Sequence, residues 1–472
     1  ILSGLVGSEM CIRDRIKYTI HPLSVLNSVS DYHILSLTRK HMLKATKLTL
    51  AVLINAAIIA PAFASEQSEA KGFLEDSTGS ILFRTGYISR DYKNVAPDTD
   101  KSSFAQTAIV NIDSGFTKGI VGFGVGVVGD GSFKIGDNNH SGNNMIPRDD
   151  EGNPYDHWAR GGANVKARFS NTTVRYGTQV LDLPVLASNT ARLVPEYFTG
   201  TLVTSHEIKD LELIAGKFTK NQYSDQIATD QNKLDDAVVW GAKYKFDDQL
   251  NASYYGLDSK NALERHYVNA NYKYPLANQS SLTFDFSGYH TEWDKDASTY
   301  SSTKGDTNVD DRSNNIWALS GTYNQGPHSV MLAYQQNTGN TGYDYGANAD
   351  GGQSIYLPNS YLSDFIGNHE KSAQLQYNLD FGGYGVPGLN WTTAYVYGWD
   401  IKAVSNGVVT DDNAKESEFF NQVKYTVQSG FAKDVSFRAR YSHLRADQTY
   451  NNVYMPDTNE WRLFLDIPVK LF

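Results

Sequence analysis

Arginines at alternate positions near the end of the chain are the residues whose type and spacing first suggest a chemical role. In the stretch VSFRARYSH, Arg438 and Arg440 occupy one parity, and apolar or aromatic residues occupy the other. A guanidinium group presents five N–H donors in a planar fork that matches a carboxylate, and it stays charged at physiological pH. The spacing therefore points to a surface that binds carboxylates or other small anions.

Cations recur on the polar parity of other alternating segments. We predict that they line the inside of one structure as a basic ladder, on which each rung replaces part of the hydration of a passing anion. The predicted rungs are Arg84, Lys166, Arg168, Arg175, Lys243, Lys424, Arg438, Arg440 and Arg462. The alternative is that these cations only neutralise nearby acids or extend towards lipid headgroups.

The segments that carry these cations repeat with a period of two, which indicates β-strands. In SLTFDFSGYH, for example, Leu282, Phe284 and Phe286 share one face, and smaller or polar residues share the other. Eighteen such runs begin near residues 79, 104, 118, 162, 172, 197, 210, 235, 248, 262, 279, 313, 326, 371, 388, 415, 434 and 458. Short turns alternate with long polar stretches between them, and the long stretches are 130–161, 177–196, 291–312 and 337–370.

This alternation predicts an all-β fold, a transmembrane antiparallel β-barrel of about 18 strands with long extracellular loops, some of them folded into the lumen. A sheet can span lipid only if it closes on itself, because lipid offers no partner for an unpaired backbone group. Short turns at one end and long loops at the other are typical of outer-membrane barrels. A soluble sandwich or propeller is the alternative, but no blade repeat is found.

Two long loops have compositions that suit a constriction, since eighteen strands enclose a wide lumen. The stretch 177–196 carries apolar residues, which are unusual in a loop exposed to water, and 338–371 contains YLPNSYLSDFIGNHE. We predict that both fold inward; covering the barrel rim or contacting a neighbouring subunit is the alternative. The predicted constriction residues are Asp182, Leu183, Pro184, Tyr356, Tyr361 and Asp364. Their acids, with Asp344, would face the basic ladder and create a transverse field.

The first part of the chain reads as an export signal. LKATKLTLAVLINAAIIAPAFA has lysines before an apolar stretch and small residues at its end, which predicts a signal peptide at 42–64 that is cleaved after Ala64. Residues 1–41 are interpreted as upstream translation that is not native to the protein, and 65–472 as the barrel domain. The single cysteine, Cys11, falls in the upstream part.

Charge and motifs exclude several other classes of function. The chain has 42 basic and 52 acidic side chains, which argues against nucleic acid as a partner. No G-x-S-x-G elbow, phosphate-binding loop or zinc-ligand spacing occurs in the sequence. We therefore predict no enzyme, no cofactor and no metal; an outer-membrane hydrolase is the least favoured alternative.

Several long segments resemble OprD-type (Occ) outer-membrane porins, which are substrate-specific channels of Gram-negative bacteria. The resemblance covers essentially the whole predicted mature chain and is carried by GFLEDSTGSILFRTGYISRDY, DSGFTKGIVGFGV, GGANVKARFSNTTVRYGTQVLDLPVLAS, YFTGTLVTSHEIKDLELIAGKFT and NEWRLFLDIPVKLF. It implies an 18-stranded barrel, often monomeric, with an inward-folded third loop and a lumenal basic ladder. Arg84, Lys166, Arg168, Arg438 and Arg440 stand at ladder-like positions.

The resemblance also implies uptake of small carboxylate-bearing solutes. One branch of the family takes basic amino acids and carbapenem antibiotics, and another takes aromatic or other carboxylates. We predict passive, selective diffusion of solutes of the first kind, including small peptides, through the outer membrane; the second branch and a nonselective porin remain alternatives. The expected partners are outer-membrane lipid and the permeating solutes, and the expected state is a monomer, with a trimer left open.

Overall fold

The computed structural model describes residues 65–229, 234, 236–295, 297, 312–345 and 354–472. The predicted upstream segment, 1–41, and the predicted signal peptide, 42–64, lie outside the described residues, and so does Cys11. No helix within the described ranges is long and apolar enough to cross a membrane.

The described chain is built almost entirely of β-strands. They are β1 Thr78–Tyr92, β2 Lys101–Asp113, β3 Val121–Lys134, β4 His157–Phe169, β5 Thr172–Gln179, β6 Asp182–Leu183, β7 Leu186–Ala187, β8 Tyr197–Ile208, β9 Leu211–Gln222, β10 Ala237–Lys245, β11 Leu250–Ser259, β12 Leu263–Pro275, β13 Ser281–Trp293, β14 Ser313–Gln325, β15 His328–Gly339, β16 Lys371–Asp380, β17 Leu389–Ser405, β18 Val408–Thr426, β19 Ser436–Ala446 and β20 Thr458–Lys470. A 3-10 turn at Phe381–Tyr384 and the short helix α1 at Gln448–Asn451 complete the elements.

Eighteen of these strands form one closed antiparallel barrel, which confirms the predicted fold. Each barrel strand pairs with the next one along the chain, and β6 and β7 form a separate small hairpin between β5 and β8. β1 pairs with both β2 and β20, so that Arg84 stands opposite Thr107 on one side and Asp466 on the other. Closure leaves no strand edge unpaired, as a lipid environment requires.

The connections between strands differ at the two ends of the barrel. At one end, here called the turn end, they include the short turns 170–171, 209–210, 246–249 and 326–327. At the other, here called the loop end, they include 135–156, 180–196, 294–312 and 340–370. The strand starts agree with the predicted ones to within a few residues, with the largest differences at β4 and β18.

The early start of β18 has a local cause. β17 and β18 are joined by Asn406 and Gly407, and both residues have positive φ angles, of 50° and 74°. An Asn-Gly pair in this conformation makes the tight turn that suits the twist of a two-stranded hairpin. The hairpin therefore continues beyond the predicted start at 415 and reaches Val408.

Alternation along each strand separates two environments. On β3, the outward residues Val121, Phe123, Val125 and Val127 are exposed, and glycines 122, 124 and 126 point to the other side. A Cβ atom on Gly124 would lie 2.6 Å from Cε of Lys166. Glycine thus leaves the inner surface of β3 open for polar side chains from β4, while the apolar side chains face lipid.

Candidate functional site

Five of the predicted ladder cations lie on four adjacent strands and form one patch on the inner face. This patch, here called the basic wall, consists of Arg84 on β1, Lys424 on β18, Arg438 and Arg440 on β19, and Arg462 on β20. Lys424 stands directly opposite Arg438, and Arg440 directly opposite Arg462. Only the closure of the barrel between β1 and β20 brings Arg84 to the other four.

Two arginines of the basic wall are paired with acids of the same face. Nε and Nη2 of Arg84 donate to the two carboxylate oxygens of Asp466 at 2.7 and 3.0 Å. Glu460 accepts from Arg462 and also from Nε of Arg90, the latter at 2.7 Å. Bidentate and charge-assisted contacts of this kind hold a guanidinium strongly and use its donors.

Arg438 and Arg440 have aromatic neighbours instead. The guanidinium carbon of Arg438 lies 5.0 Å from the ring centroid of Phe464, and that of Arg440 lies 5.0 Å from the centroid of Phe420. The described residues place no carboxylate within ion-pair distance of either arginine. Neither cation therefore has an ion pair of its own, and the nearest acids, Glu418 and Glu460 for Arg440 and Asp466 for Arg438, act from a greater distance.

Three other predicted rungs form a second cluster on β4 and β5, towards the turn end. Asp113 accepts from Nζ of Lys166 at 2.5 Å and from Nη1 of Arg175 at 3.1 Å. Arg168 lies 3.6 Å from a carboxylate oxygen of Glu66, in the segment that precedes β1. Each of these cations has an acid beside it. This arrangement fits the alternative to the basic ladder, in which the cations only neutralise nearby acids.

Lys243 is not brought to either group. It lies on β10, where its register partners are Glu212 on β9 and Ser253 on β11. Its side chain is exposed. The nine predicted rungs therefore divide into the basic wall, the β4–β5 cluster and Lys243 alone.

The loop 180–196 crosses the lumen. Its first limb packs Leu181, Leu183, Val185 and Leu186 against the inner faces of β10 to β13, among them Val239, Tyr255, Tyr267 and Tyr289. These strands lie half-way round the barrel from β20 and β1 in the strand order. Burying an apolar side chain of this size contributes about 1.5–3 kcal/mol, so this limb is held firmly on the wall opposite the cations.

The second limb of the same loop returns to the basic wall. Leu193 and Val194 pack with Ile88 and Phe464 in a separate apolar cluster. Gly86 makes room for them, because a Cβ atom there would lie 2.8 Å from the Phe464 ring and 3.3 Å from a methyl group of Leu193. The loop thus packs on two opposite sides of the barrel, one limb in each apolar cluster.

A buried cation accompanies this return limb. The Nε atom of Arg192 donates to the backbone oxygen of Asn143 at 3.1 Å, and the backbone oxygen of Arg192 accepts from Arg84 at 3.3 Å. Burial, followed by the nearby charges of Arg462 and Arg90, lowers the pKa of Arg192 to about 9. The loop therefore adds positive charge beside the basic wall at neutral pH.

The loop 340–370 joins the loop 180–196 through its predicted constriction residues. The hydroxyl of Tyr356 donates to the carboxylate of Asp182, which is exposed. The hydroxyl of Tyr289 on β13 donates to the backbone oxygen of Pro184 at 3.1 Å and accepts from the backbone N–H of Tyr356 at 3.0 Å. Tyr289, on the side of the barrel opposite the basic wall, thus forms hydrogen bonds with both loops.

Of the remaining predicted constriction residues, Tyr361 holds the loop 340–370 on β18, and Asp364 joins two parts of the loop to each other. The ring of Tyr361 stacks on Phe420 at 4.1 Å, with 17° between the ring planes. Asp364 accepts hydrogen bonds from the hydroxyls of Tyr345 and Ser360. Burial, and then the charge of Asp364, raise the pKa of Tyr345 well above its usual value, so this phenol remains a donor.

Sequence reasoning did not find the inward aromatic residues or the acids of the wall. Phe464 lies between Leu463 and Leu465, which belong to the apolar face, and Phe420 follows Phe419 in the same manner. The signal available was an aromatic residue on the polar parity of a strand. The partner of Arg84, Asp466, carries no such signal, because the two are distant in the sequence.

This arrangement can bind and orient small anions. Within the described ranges, no group of three or more His, Cys, Asp or Glu side chains is placed to hold a metal ion. Cations on one side of the lumen and the exposed Asp182 on the loop that crosses it provide charges of both signs. A solute passing between them would meet a field across its path.

Comparisons with known proteins give a consistent result. A family model described as outer membrane porin, OprD family, matches residues 71–471. Porin D of Pseudomonas aeruginosa is 36% identical over 438 residues, which cover 88% of this chain and 95% of that protein. The crystal structure of Acinetobacter baumannii OccAB1 is 72% identical with a TM-score of 0.83, covering 86% of this chain and 100% of that one. That of P. aeruginosa OprD is 34% identical with a TM-score of 0.71, covering 87% and 100%.

Proposed function

Because the chain belongs to the OprD family of outer membrane porins, we propose that it selects small carboxylate-bearing solutes at the basic wall. The chain is an outer-membrane channel of a Gram-negative bacterium, and its relatives are porins rather than enzymes. We propose both that the channel is selective and that the solutes it selects carry a carboxylate.

The observation that carries the proposal is the pair Arg438 and Arg440. Both stand on the lumenal face of β19, with Lys424 and Arg462 opposite them on the neighbouring strands. No acid among the described residues neutralises them at ion-pair distance. A guanidinium without an acid partner can offer its planar fork to a carboxylate that passes.

The loop 180–196 gives a reason why solutes should be selected by their charge and not by their size alone. It crosses the lumen between the strands that carry the basic wall and those opposite, so that the path beside the wall is narrower than the barrel. A solute confined to such a path exchanges hydration water for contacts with the wall, and a carboxylate gains the most from cations.

Charges of both signs favour solutes that carry a cation as well as a carboxylate. The exposed carboxylate of Asp182 belongs to the limb of the loop that packs opposite the basic wall. We therefore propose basic amino acids, small peptides and carbapenem-type antibiotics as permeants. A monomeric barrel, preceded by the cleaved signal peptide predicted at 42–64, completes the proposal.

Single-channel recording in planar bilayers tests the proposal, with arginine, benzoate and glucose compared as permeants. The double variant Arg438→Ala, Arg440→Ala should retain folding and ion conductance but should raise the half-blocking concentration of benzoate about tenfold, which corresponds to about 1.4 kcal/mol. Loss of the two unpaired cations is the physical reason.

The matched control is Lys118→Ala, Lys433→Ala, which removes two positive charges from exposed turns at the turn end. It should leave the block by benzoate unchanged. Permeation of all three solutes in order of size alone, in the wild-type protein, would show a nonselective porin and would contradict the proposal.

A further inference from the structure

The basic wall contains two kinds of arginine. Arg84 and Arg462 are engaged by Asp466 and Glu460, and Arg84 lies in addition 5.4 Å from the centroid of Phe464. Arg438 and Arg440 lie over the rings of Phe464 and Phe420, each at 5.0 Å from the centroid, and have no acid among the described residues at ion-pair distance. The presence or absence of an ion-paired acid determines what each guanidinium can still bind.

An aromatic ring holds a guanidinium without using its hydrogen bonds. The π face attracts the cation electrostatically, whereas a carboxylate takes two of the five N–H donors and cancels the charge. The Nε atom of Arg440 is buried and donates to no protein acceptor in the described part of the chain. No carboxylate of the basic wall accepts a hydrogen bond from Arg440 in the described part of the chain.

Both rings are themselves fixed. Phe464 is 2% exposed and packs with Ile88 and Leu193, in the space that Gly86 leaves open. Phe420 is 3% exposed and has Tyr361 of the loop 340–370 stacked on it. A ring with little freedom can restrict the orientation of the guanidinium that lies over it.

We propose that Phe420 and Phe464 are positioning residues for carboxylate selection, which orient Arg440 and Arg438 while leaving the charge of both available to the permeant. The inference rests on the proposed function and deepens it, because it assigns the selectivity to neutral side chains beneath the cations. It also explains why aromatic residues occupy the polar parity of β18 and β20 at these two positions.

The experiment compares Phe464→Leu and Phe420→Leu with the wild type in planar bilayers. The probes are benzoate and benzamide, which share a ring but differ in charge. Each variant keeps the net charge of the pore, so the reversal potential in a KCl gradient should not change. The half-blocking concentration of benzoate should rise about fivefold, as expected for the loss of a desolvated cation–π contact, and Phe420→Tyr should retain most of the block.

Phe437→Leu is the matched control, because Phe437 adjoins Arg438 in the sequence but lies on the lipid face, where it is 46% exposed. Leu193→Ala is the second control, since it disturbs the apolar cluster around Phe464 without removing the ring. Phe437→Leu should leave block by benzoate unchanged, and Leu193→Ala should weaken it less than Phe464→Leu does, because the ring remains beside Arg438. If a leucine variant does not form a barrel, methionine replaces leucine with the same expectation.

The outcomes separate the two proposals. If the wild type is blocked equally by benzoate and benzamide, carboxylate selection itself fails. If the wild type prefers benzoate, Arg438→Ala, Arg440→Ala loses the preference and the leucine variants keep it, the cations select without the rings and the positioning role is overturned. A change in Leu193→Ala equal to that in Phe464→Leu would assign the effect to loop packing and would overturn it as well.

Discussion

At the scale of single residues, the partner of a lumenal cation decides whether that cation is available. Arg84 and Arg438 lie within 5.4 and 5.0 Å of the centroid of the same ring, Phe464. Arg84 nevertheless has both oxygens of Asp466 in hydrogen-bond contact, and Arg438 has no acid at that distance. Identical side chains on the two strands that flank β20 are thus expected to contribute differently to binding.

Replacement of Asp466 tests this difference. Asp466→Asn removes the charge that neutralises Arg84 while keeping a group of similar shape, so the basic wall should gain one uncompensated cation. We expect the reversal potential in a KCl gradient to shift towards that of chloride. Block by benzoate should strengthen about threefold, which corresponds to about 0.65 kcal/mol.

Asp248→Asn is the control, since Asp248 lies in an exposed turn, where it pairs with Lys245. It should leave both measurements as in the wild type. An unchanged reversal potential in Asp466→Asn would mean that Arg84 does not contribute to the field in the lumen.

At the scale of elements, the loops 180–196 and 340–370 act as one unit. They form hydrogen bonds with each other and with the same tyrosine of β13. Tyr289 contacts the backbone of both loops, and Tyr356 of one loop donates to Asp182 of the other. The apolar residues around Leu183 also pack against the inner face of the barrel and hold the loop 180–196 there. The position of the constriction therefore depends on contacts between elements that are distant in the chain.

Tyr356→Phe removes the direct hydrogen bond between the loops and keeps the ring. Since a hydrogen bond to a charged group contributes about 1.5–3 kcal/mol, we expect larger current fluctuations in the open channel and a higher mean conductance. Recordings at constant voltage provide the measurement.

Tyr395→Phe, on the lipid face of β17, makes the same chemical change away from the loops and serves as the control. Fluctuations that are no larger in Tyr356→Phe than in Tyr395→Phe would show that the apolar limb alone fixes the loops.

At the scale of the whole molecule, the barrel separates two solvents, and one residue step along a strand exchanges one for the other. Val165 is 57% exposed on the outer face of β4, while its neighbour Lys166 is 5% exposed on the inner face. The backbones of both residues are paired in the same sheet. The difference between lipid outside and water inside therefore acts only on their side chains.

Arginine substitutions on the two faces should therefore differ in cost. Val165→Arg places a cation in lipid and should lower the free energy of unfolding from bilayers by about 2–4 kcal/mol. Thr322→Arg, on the inner parity of β14 and also towards the turn end, should change it by no more than about 0.5 kcal/mol. Urea titration of the protein in liposomes measures both.

Equal losses in the two variants would contradict the assignment of faces. A loss confined to Val165→Arg would establish it, because both substitutions add the same side chain to strands of the same barrel.

The sequence allowed most of the strands to be predicted, with reasons that lie in individual residues. Phe123 and Val125 alternate with glycines, and this alternation is readable without a structure because strand geometry alone sets it. The missed extension of β18 came from overlooking the Asn406 and Gly407 turn. The prediction that loop acids face the cations across the constriction had no such local basis, and the contact of Asp182 with Tyr356 of the other loop was not foreseen.

The sequence by itself determined the barrel of about eighteen strands and the alternation of apolar and polar faces along them, since these depend on the order of residues along the chain. Only the tertiary structure decided which cations share a wall and which of them are neutralised. Arg84 and Asp466 are 382 residues apart and meet because the barrel closes between β1 and β20. Charge compensation depends on distances in space, and closure sets those distances.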